Sequence, residues 1–485
     1  MDSPPKERLE RGTLRDEAYD PTLAILSLVK EQDEAHPIHW STWKKWAIII
    51  VYNLFQILVA MTSTSYLSIE SSIQETLGGS TQVVTLGQSL YIAGNAIGPA
   101  LLGPLSDIGG RKWVYVASSL CFALLNTGSA LALNLPMLII FQLLCGMAGS
   151  TGLSNVAGTI ADLFGDADNA GQPMALFVGC SGIGPSLGAA VGQWIASNPN
   201  MGIPWVFWIN VIFGGFFALV MCFLPETLPR FVISRAGRQD NTTDPSRIAL
   251  MDAKINVSQR LRFVATMALR ILATEPIVAF LACYNGFAYG LTFLYLDGVF
   301  DVFVVNNGLS YIQADLTYLN FVVGVIVMFC FMPVQTFLFK RDRIKRGNQS
   351  RPEARLLSAV VAVWLFPISL FWFAFTSDGN TSYWSPVVAG AVLGFSNTLL
   401  YLSMLNFLTD SYPKVAASAV AAFLIPSFTI AAACAHIGIV MFAHMSTTWA
   451  MATLGFISLG LVALINVLFI FGPKIRARSS LARSF

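Results

Sequence analysis

The sequence predicts an all-α membrane protein of twelve transmembrane helices in two bundles of six. Three observations carry this. Apolar residues make up 55% of the chain and charged residues only 12%, where a soluble domain carries roughly a quarter charged. A soluble fold of 485 residues could not hide that much apolar surface, 35 phenylalanines included. The chain also divides into apolar stretches of about 20 residues, the length that crosses a hydrocarbon core. Finally, all 29 Lys and Arg residues lie in the two terminal segments or in connections that follow even-numbered stretches. That segregation puts both termini and those connections in the cytoplasm.

The expected spans are 44–66, 83–103, 113–132, 136–160, 172–196 and 203–224, then 271–298, 315–339, 355–376, 384–408, 414–440 and 446–471. They are helices because unpaired backbone groups cannot face lipid. The domain organisation follows: a cytoplasmic tail over 1–43, a bundle over 44–224, a central loop over 225–270, a second bundle over 271–471 and a tail over 472–485. Lys44 and Lys45 precede the first span, and Arg111 and Lys112 separate the second from the third. The central loop carries eight basic residues, from Arg230 to Arg270, and a further basic cluster runs from Lys340 to Arg355. The opposite connections hold Glu70, Glu75, Asp301, Asp378 and His444 but no Lys or Arg. One of them also carries the sequon Asn380-Thr381-Ser382, a glycosylation candidate on the outer side.

The seven cysteines all fall inside apolar stretches, without CxxC or metal-ligand spacing. They read as small packing residues, so no metal and no cofactor is expected. The basic residues are explained by sidedness and imply no nucleic-acid partner. The expected partners are a small-molecule substrate, protons and membrane lipid, with the protein acting as a monomer.

Between the second and third spans the chain reads GPLSDIGGRK. A short turn with Asp107 and with Arg111 and Lys112 anchors helix ends and meets anionic headgroups. Gly103, Leu105, Asp107, Gly110, Arg111 and Lys112 resemble the signature loop of the major facilitator superfamily. The resemblance implies that fold, with the loop locking the two halves in the outward-facing state. The fifth span reads GCSGIGPSLGAAVGQW, a helix with little bulk on one side and a bend at Pro185. Gly184, Pro185 and Gly188 resemble the antiporter motif associated with proton-coupled export, with Ala189 replacing its last glycine. PETLPR from Pro225, PEARL from Pro352, GSTGLSNVAGTIADLF from Gly149 and NFLTDSYPKVAASAVAA from Asn406 are similar to the fungal drug:proton antiporters with twelve spans. That resemblance implies efflux of amphipathic drugs, toxins or secondary metabolites. One position departs from the pattern: Gln142 stands in the fourth span where such proteins carry Arg. A facilitator, or an exporter of a dedicated metabolite such as an organic acid or a polyamine, is therefore the alternative.

An ionisable group at membrane depth is a functional candidate. Glu70 and Asp297, at outer helix ends, are the proton-coupling candidates. Asp162, Asp315 and Asp410 are further carboxylates at helix ends, and each of the five also reads as a hydrated end. Asn53, Gln56, Gln88, Asn95, Gln142, Asn155, Tyr284, Asn285, Tyr289, Asn320, Asn397 and Asn406 are the substrate-binding candidates; any one of them also serves as helix–helix glue. Amides and phenols among aromatic rings suit a partly apolar ligand. With no basic residue inside the membrane, a small anion is disfavoured. The four histidines, His36, His39, His436 and His444, form no catalytic cluster, so an enzyme is not expected. No repeated filter element marks a channel, and the short tails disfavour a nutrient sensor. A plasma-membrane location is expected, with the vacuolar membrane as the alternative.

Overall fold

The computed structural model describes residues 33–165, 167–198, 200–240, 256–346, 351–412, 415–477, 479 and 481–482. Of the 29 basic residues, Lys6, Arg8, Arg11, Arg15, Lys30, Arg247, Lys254, Lys414, Arg478 and Arg483 lie outside them. The described chain is helical. In the first half it comprises α1 (Thr42–Leu67), α2 (Glu70–Leu77), α3 (Thr81–Gly109), α4 (Arg111–Ala130), α5 (Leu135–Gly149), α6 (Thr151–Phe164), α7 (Ala167–Ala196) and α8 (Ile203–Phe223). The connection carries α9 (Pro229–Asp240) and α10 (Val257–Thr274). The second half comprises α11 (Pro276–Val299), α12 (Tyr311–Leu316), α13 (Leu319–Lys345), α14 (Leu357–Phe375), α15 (Trp384–Ser411), α16 (Ala416–His444) and α17 (Thr447–Arg476).

Among the described residues, ten helical segments are long and apolar enough to cross a membrane. α3 and α4, at the positions expected for the second and third spans, are not among them. The reason is local. α3 is interrupted by Gln82, Gln88, Ser89 and Asn95, and α4 opens on Arg111 and Lys112 and carries Ser118, Ser119, Asn126 and Ser129.

Other differences have physical causes. The seventh expected span begins at Pro276 rather than 271, because a proline lacks an N–H and pushes Glu275 out of helical geometry (φ −110°, ψ 89°). The segment before it is the separate helix α10 and not open loop. The fourth span is divided at Ser150 into α5 and α6. α11 loosens into a π-helix over Phe300–Asn306.

Helix pairing repeats between the halves. In the first, α1 packs on α7, α3 on α5 and α4 on α8; in the second, α11 packs on α16, α13 on α15 and α14 on α17. The two sets meet through α3 against α16 and α7 against α13. Large apolar side chains such as Leu124, Phe216, Val361 and Ile470 point outward, as a lipid-facing surface requires. Rings fill the interior, with Tyr52 and Tyr115 stacked at 3.8 Å and Tyr295 4.8 Å from Phe373. The face that carries the basic connections is called the basic face below.

Candidate functional site

A cavity of about 60 Å³ lies between the halves. α1 contributes Gln56 and Ser63, α3 Asn95 and α7 Ser181 and Pro185. From the other half come Asn285, Tyr289 and Thr292 of α11, Asn397, Thr398 and Tyr401 of α15, and Phe428 of α16. No Asp, Glu, Lys, Arg or His appears in this lining among the described residues. Two of the amide oxygens, Gln56 Oε1 and Asn95 Oδ1, are buried without a hydrogen-bond partner. Asn95 Nδ2 is held by the Tyr91 carbonyl at 3.3 Å, which leaves its oxygen to accept from a ligand. A second cavity of about 460 Å³ opens on the basic face, bordered by Asp107, Arg111, Asn155, Arg355, Asn406 and Asp410. Leu153 lines the first cavity and Ser154 and Asn155 the second, so the two are stacked along α6.

The substrate candidates read from the sequence divide accordingly. Gln56, Asn95, Asn285, Tyr289 and Asn397 converge on the central cavity, and Asn155 and Asn406 on the larger one. The rest line neither. Asn53 bonds the Ile49 carbonyl at 2.8 Å, and Gln88 the Ser63 carbonyl at 3.1 Å. Asn320 bonds Tyr295 Oη at 3.0 Å and the Val387 carbonyl at 3.2 Å. Tyr284 is buried with its hydroxyl unpartnered. Gln142 is fully buried in α5, and neither its nitrogen nor its oxygen has a partner. Ser63, Ser181, Thr292, Thr398 and Tyr401 were not singled out in the sequence. A hydroxyl on an apolar helix usually bonds the carbonyl one turn back, and nothing in the sequence marks those that face a cavity.

Of the proton candidates, Glu70 lies apart from this cavity. Glu70 opens α2; its Oε2 accepts from Thr85 Oγ1 at 2.9 Å, and its Oε1 is buried without a partner. Burial pushes this carboxyl up to about 8, against the opposing Thr85 hydrogen bond. Asp297 lies in α11, and its side chain is outside the described residues. Asn380 is exposed and bonds Asp378 Oδ2 at 2.8 Å; this bond and that of its backbone N–H hold Asp378 below the usual carboxylate range.

The basic-face turn is a charge cluster. Arg111 is buried, with Nη1 2.8 Å from Asp107 and Nε 2.9 Å from Asp162. Asp107 also pairs with Arg260 of α10 at 3.3 Å. Gly110 has φ +93° and faces Glu226, whose carboxylate accepts from the backbone N–H groups of Arg111 at 2.8 Å and Lys112 at 3.3 Å. It thereby caps the first turn of α4, where backbone donors are orphaned. Gly103 borders the larger cavity. The second half has its own ion pairs, Arg355 with Asp410 at 2.9 Å and Arg476 with Glu353 at 2.7 Å. In α7, Gly184 and Gly188 let the helix close on α1: a Cβ at Gly188 would strike the Met61 carbonyl and the Thr64 hydroxyl. Thr64 Oγ1 donates to the Pro185 carbonyl at 2.8 Å.

The profile of the Major Facilitator Superfamily matches residues 53–436. The chain belongs to the major facilitator superfamily. It is 45% identical over 482 residues to an uncharacterized transporter of Schizosaccharomyces pombe, spanning 99% of this chain and 88% of that protein. It is 41% identical over 461 residues to the vitamin B6 transporter bsu1 of the same organism, spanning 94% and 86%. Among solved structures, the proton:xylose symporter XylE bound to 6-bromo-6-deoxy-D-glucose aligns with a TM-score of 0.63 at 17% identity, over 89% of this chain and 96% of that one. At that identity it shows the shared fold alone. A multi-span membrane protein of this superfamily transports a small molecule and is not an enzyme.

Proposed function

We propose that this transporter carries a dedicated, uncharged polar metabolite with a small ring, of the hydroxylated pyridine class. The carrying observation is the central cavity, lined by amides, hydroxyls and phenols and free of charged side chains among the described residues. Partnerless amide oxygens at Gln56 and Asn95 call for a ligand that donates hydrogen bonds. An organic acid would meet no cation there, and a polyamine no carboxylate. Similarity to a vitamin B6 transporter supports the same class. In this reading the protein is a monomer with twelve spans, formed as bundles over 44–224 and 271–471. Both termini are in the cytoplasm of a plasma-membrane protein, and the cavity is exposed to each side in turn.

A second reading, proton-coupled export of amphipathic drugs, is favoured by the glycine-lined contact of α7 with α1. Proteoliposomes separate the two. Labelled pyridoxine and a lipophilic cationic dye are offered with and without a pH gradient. Saturable pyridoxine flux that excess unlabelled pyridoxine abolishes and the dye does not supports the dedicated transporter. Dye flux that requires the gradient, with no pyridoxine flux, overturns it in favour of the drug exporter.

A further inference from the structure

Away from the basic face, a histidine joins the two halves. His436 of α16 has its Nε2 2.8 Å from Ser89 Oγ and its Nδ1 2.8 Å from Gln82 Oε1, both on α3. Gln82 and Ser89 are seven residues apart, two helical turns, so one ring bridges one stripe of the facing helix. With the amide oxygen toward the ring, Nδ1 carries the proton and donates, and Nε2 accepts from the Ser89 hydroxyl. Ser89 is buried. The position along both helices matters more than the bonds themselves. On α3, Asn95 lines the central cavity six residues from Ser89, about 9 Å along the helix. On α16, Phe428 lines it eight residues from His436, about 12 Å along. Gln82 stands at the start of α3, remote from the basic turn at its other end. The bridge therefore lies beyond the cavity, on the side away from the basic face, where the larger cavity opens.

We propose that His436 is the latch of the outer gate. It holds α3 against α16 while the cavity is reached from the basic face, and it must release Gln82 and Ser89 before the cavity meets the other side. This rests on the two-sided access argued above. It makes His436 a positioning residue, distinct from the cavity side chains. Two net hydrogen bonds bias the gate about tenfold or more.

The test uses the full chain in intact cells, with Thr292→Cys as a reporter thiol in the cavity. A membrane-impermeant maleimide is added outside, and labelling of the residue-292 peptide is followed by mass spectrometry, so the native cysteines stay in place. His436→Ala, which removes both bonds, should raise the labelling rate about tenfold; Gln82→Ala, which removes one, should raise it about threefold; and the double variant should match His436→Ala. Gln82→Glu, which strengthens the bond from Nδ1, should lower the rate severalfold. Read per copy at the cell surface, unfolding does not produce that decrease, because an opened chain exposes the reporter, which keeps the test sound if His436→Ala is unstable. If the reporter reacts in the parent background and these variants leave its rate unchanged, the latch falls and two-sided access stands. If it reacts in no variant, both fall.

Discussion

Arg111→Gln should cost this protein about 3–5 kcal/mol of stability, the range for removing one partner of a buried ion pair. The structure apportions that figure. The Arg111 side chain is 9% exposed and the Asp162 side chain 16%, with 2.9 Å between Nε and Oδ2. Without the guanidinium, Asp162 stays largely out of water and has lost the cation that faces it. Asp107 is in a different position: its side chain is 23% exposed and it also pairs with Arg260 at 3.3 Å. Its share resembles that of a surface pair, at most about 1 kcal/mol. Nη1 also donates to Ser106 Oγ at 2.8 Å, worth about 1 kcal/mol. Most of the cost therefore belongs to Asp162.

That apportionment makes the cycle decisive. Asp162→Asn leaves Arg111 its pair with Asp107 and should cost only about 1–2 kcal/mol. Arg111→Gln with Asp162→Asn removes both charges and should recover about 2 kcal/mol or more of the single-variant loss. The assay is reversible SDS unfolding in mixed micelles, followed by tryptophan fluorescence. A loss under 1 kcal/mol for Arg111→Gln, or strict additivity in the double variant, would refute the reasoning; the cluster would then be a solvated turn.

Four further outcomes are expected. Gly110→Ala should destabilise by about 1–3 kcal/mol in the same assay, because Gly110 sits at φ +93° and a Cβ would stand 2.5 Å from Glu226 Oε2. Gly188→Val should disrupt the packing of α7 on α1 at a similar cost of about 1–3 kcal/mol, and should lower transport more than Gly171→Val, where a Cβ meets open space. Burial raises Glu70 to about 8, so its contribution is complete below the unfolded carboxylate value of about 4.3 and is lost as pH rises through 8. Glu70→Gln should flatten that loss in melts taken across the interval. Asn285→Leu should raise KM for the transported metabolite about tenfold with intact folding, the effect of one lost hydrogen bond in the cavity.

How much of this was legible in the sequence depends on the range over which each constraint acts. A span is declared by consecutive residues, and so the apolar runs and the basic connections located most helices within a few residues. Glu275–Pro276 shows the limit: the apolar pattern continues through the break, and backbone chemistry places it. Ion pairs such as Arg111 with Asp162, 51 residues apart, follow from helix packing that no local pattern records. Gln88 and Asn95 are both amides on α3, seven residues apart. One donates to the Ser63 carbonyl of α1 and the other faces the cavity, a difference set by helix packing and not by residue type.

α3 brings these limits together. It was expected as an ordinary span, yet it falls short in apolarity of the ten segments that qualify. The polar residues responsible have partners or purposes at successive depths. Gln82 and Ser89 meet His436, Gln88 holds α1, Asn95 faces the cavity, and Asp107 at the far end meets Arg111 and Arg260. α10, which supplies Arg260, packs against both α3 and α16. One helix thus carries the proposed outer latch, part of the cavity wall and the basic-face charge cluster, all along the surface where the halves meet. A helix surrounded by lipid has no use for that many polar groups. Under the proposed two-sided access, a helix that exchanges partners needs hydrogen bonds that can be broken and remade at either end, and its low apolarity is what that role costs.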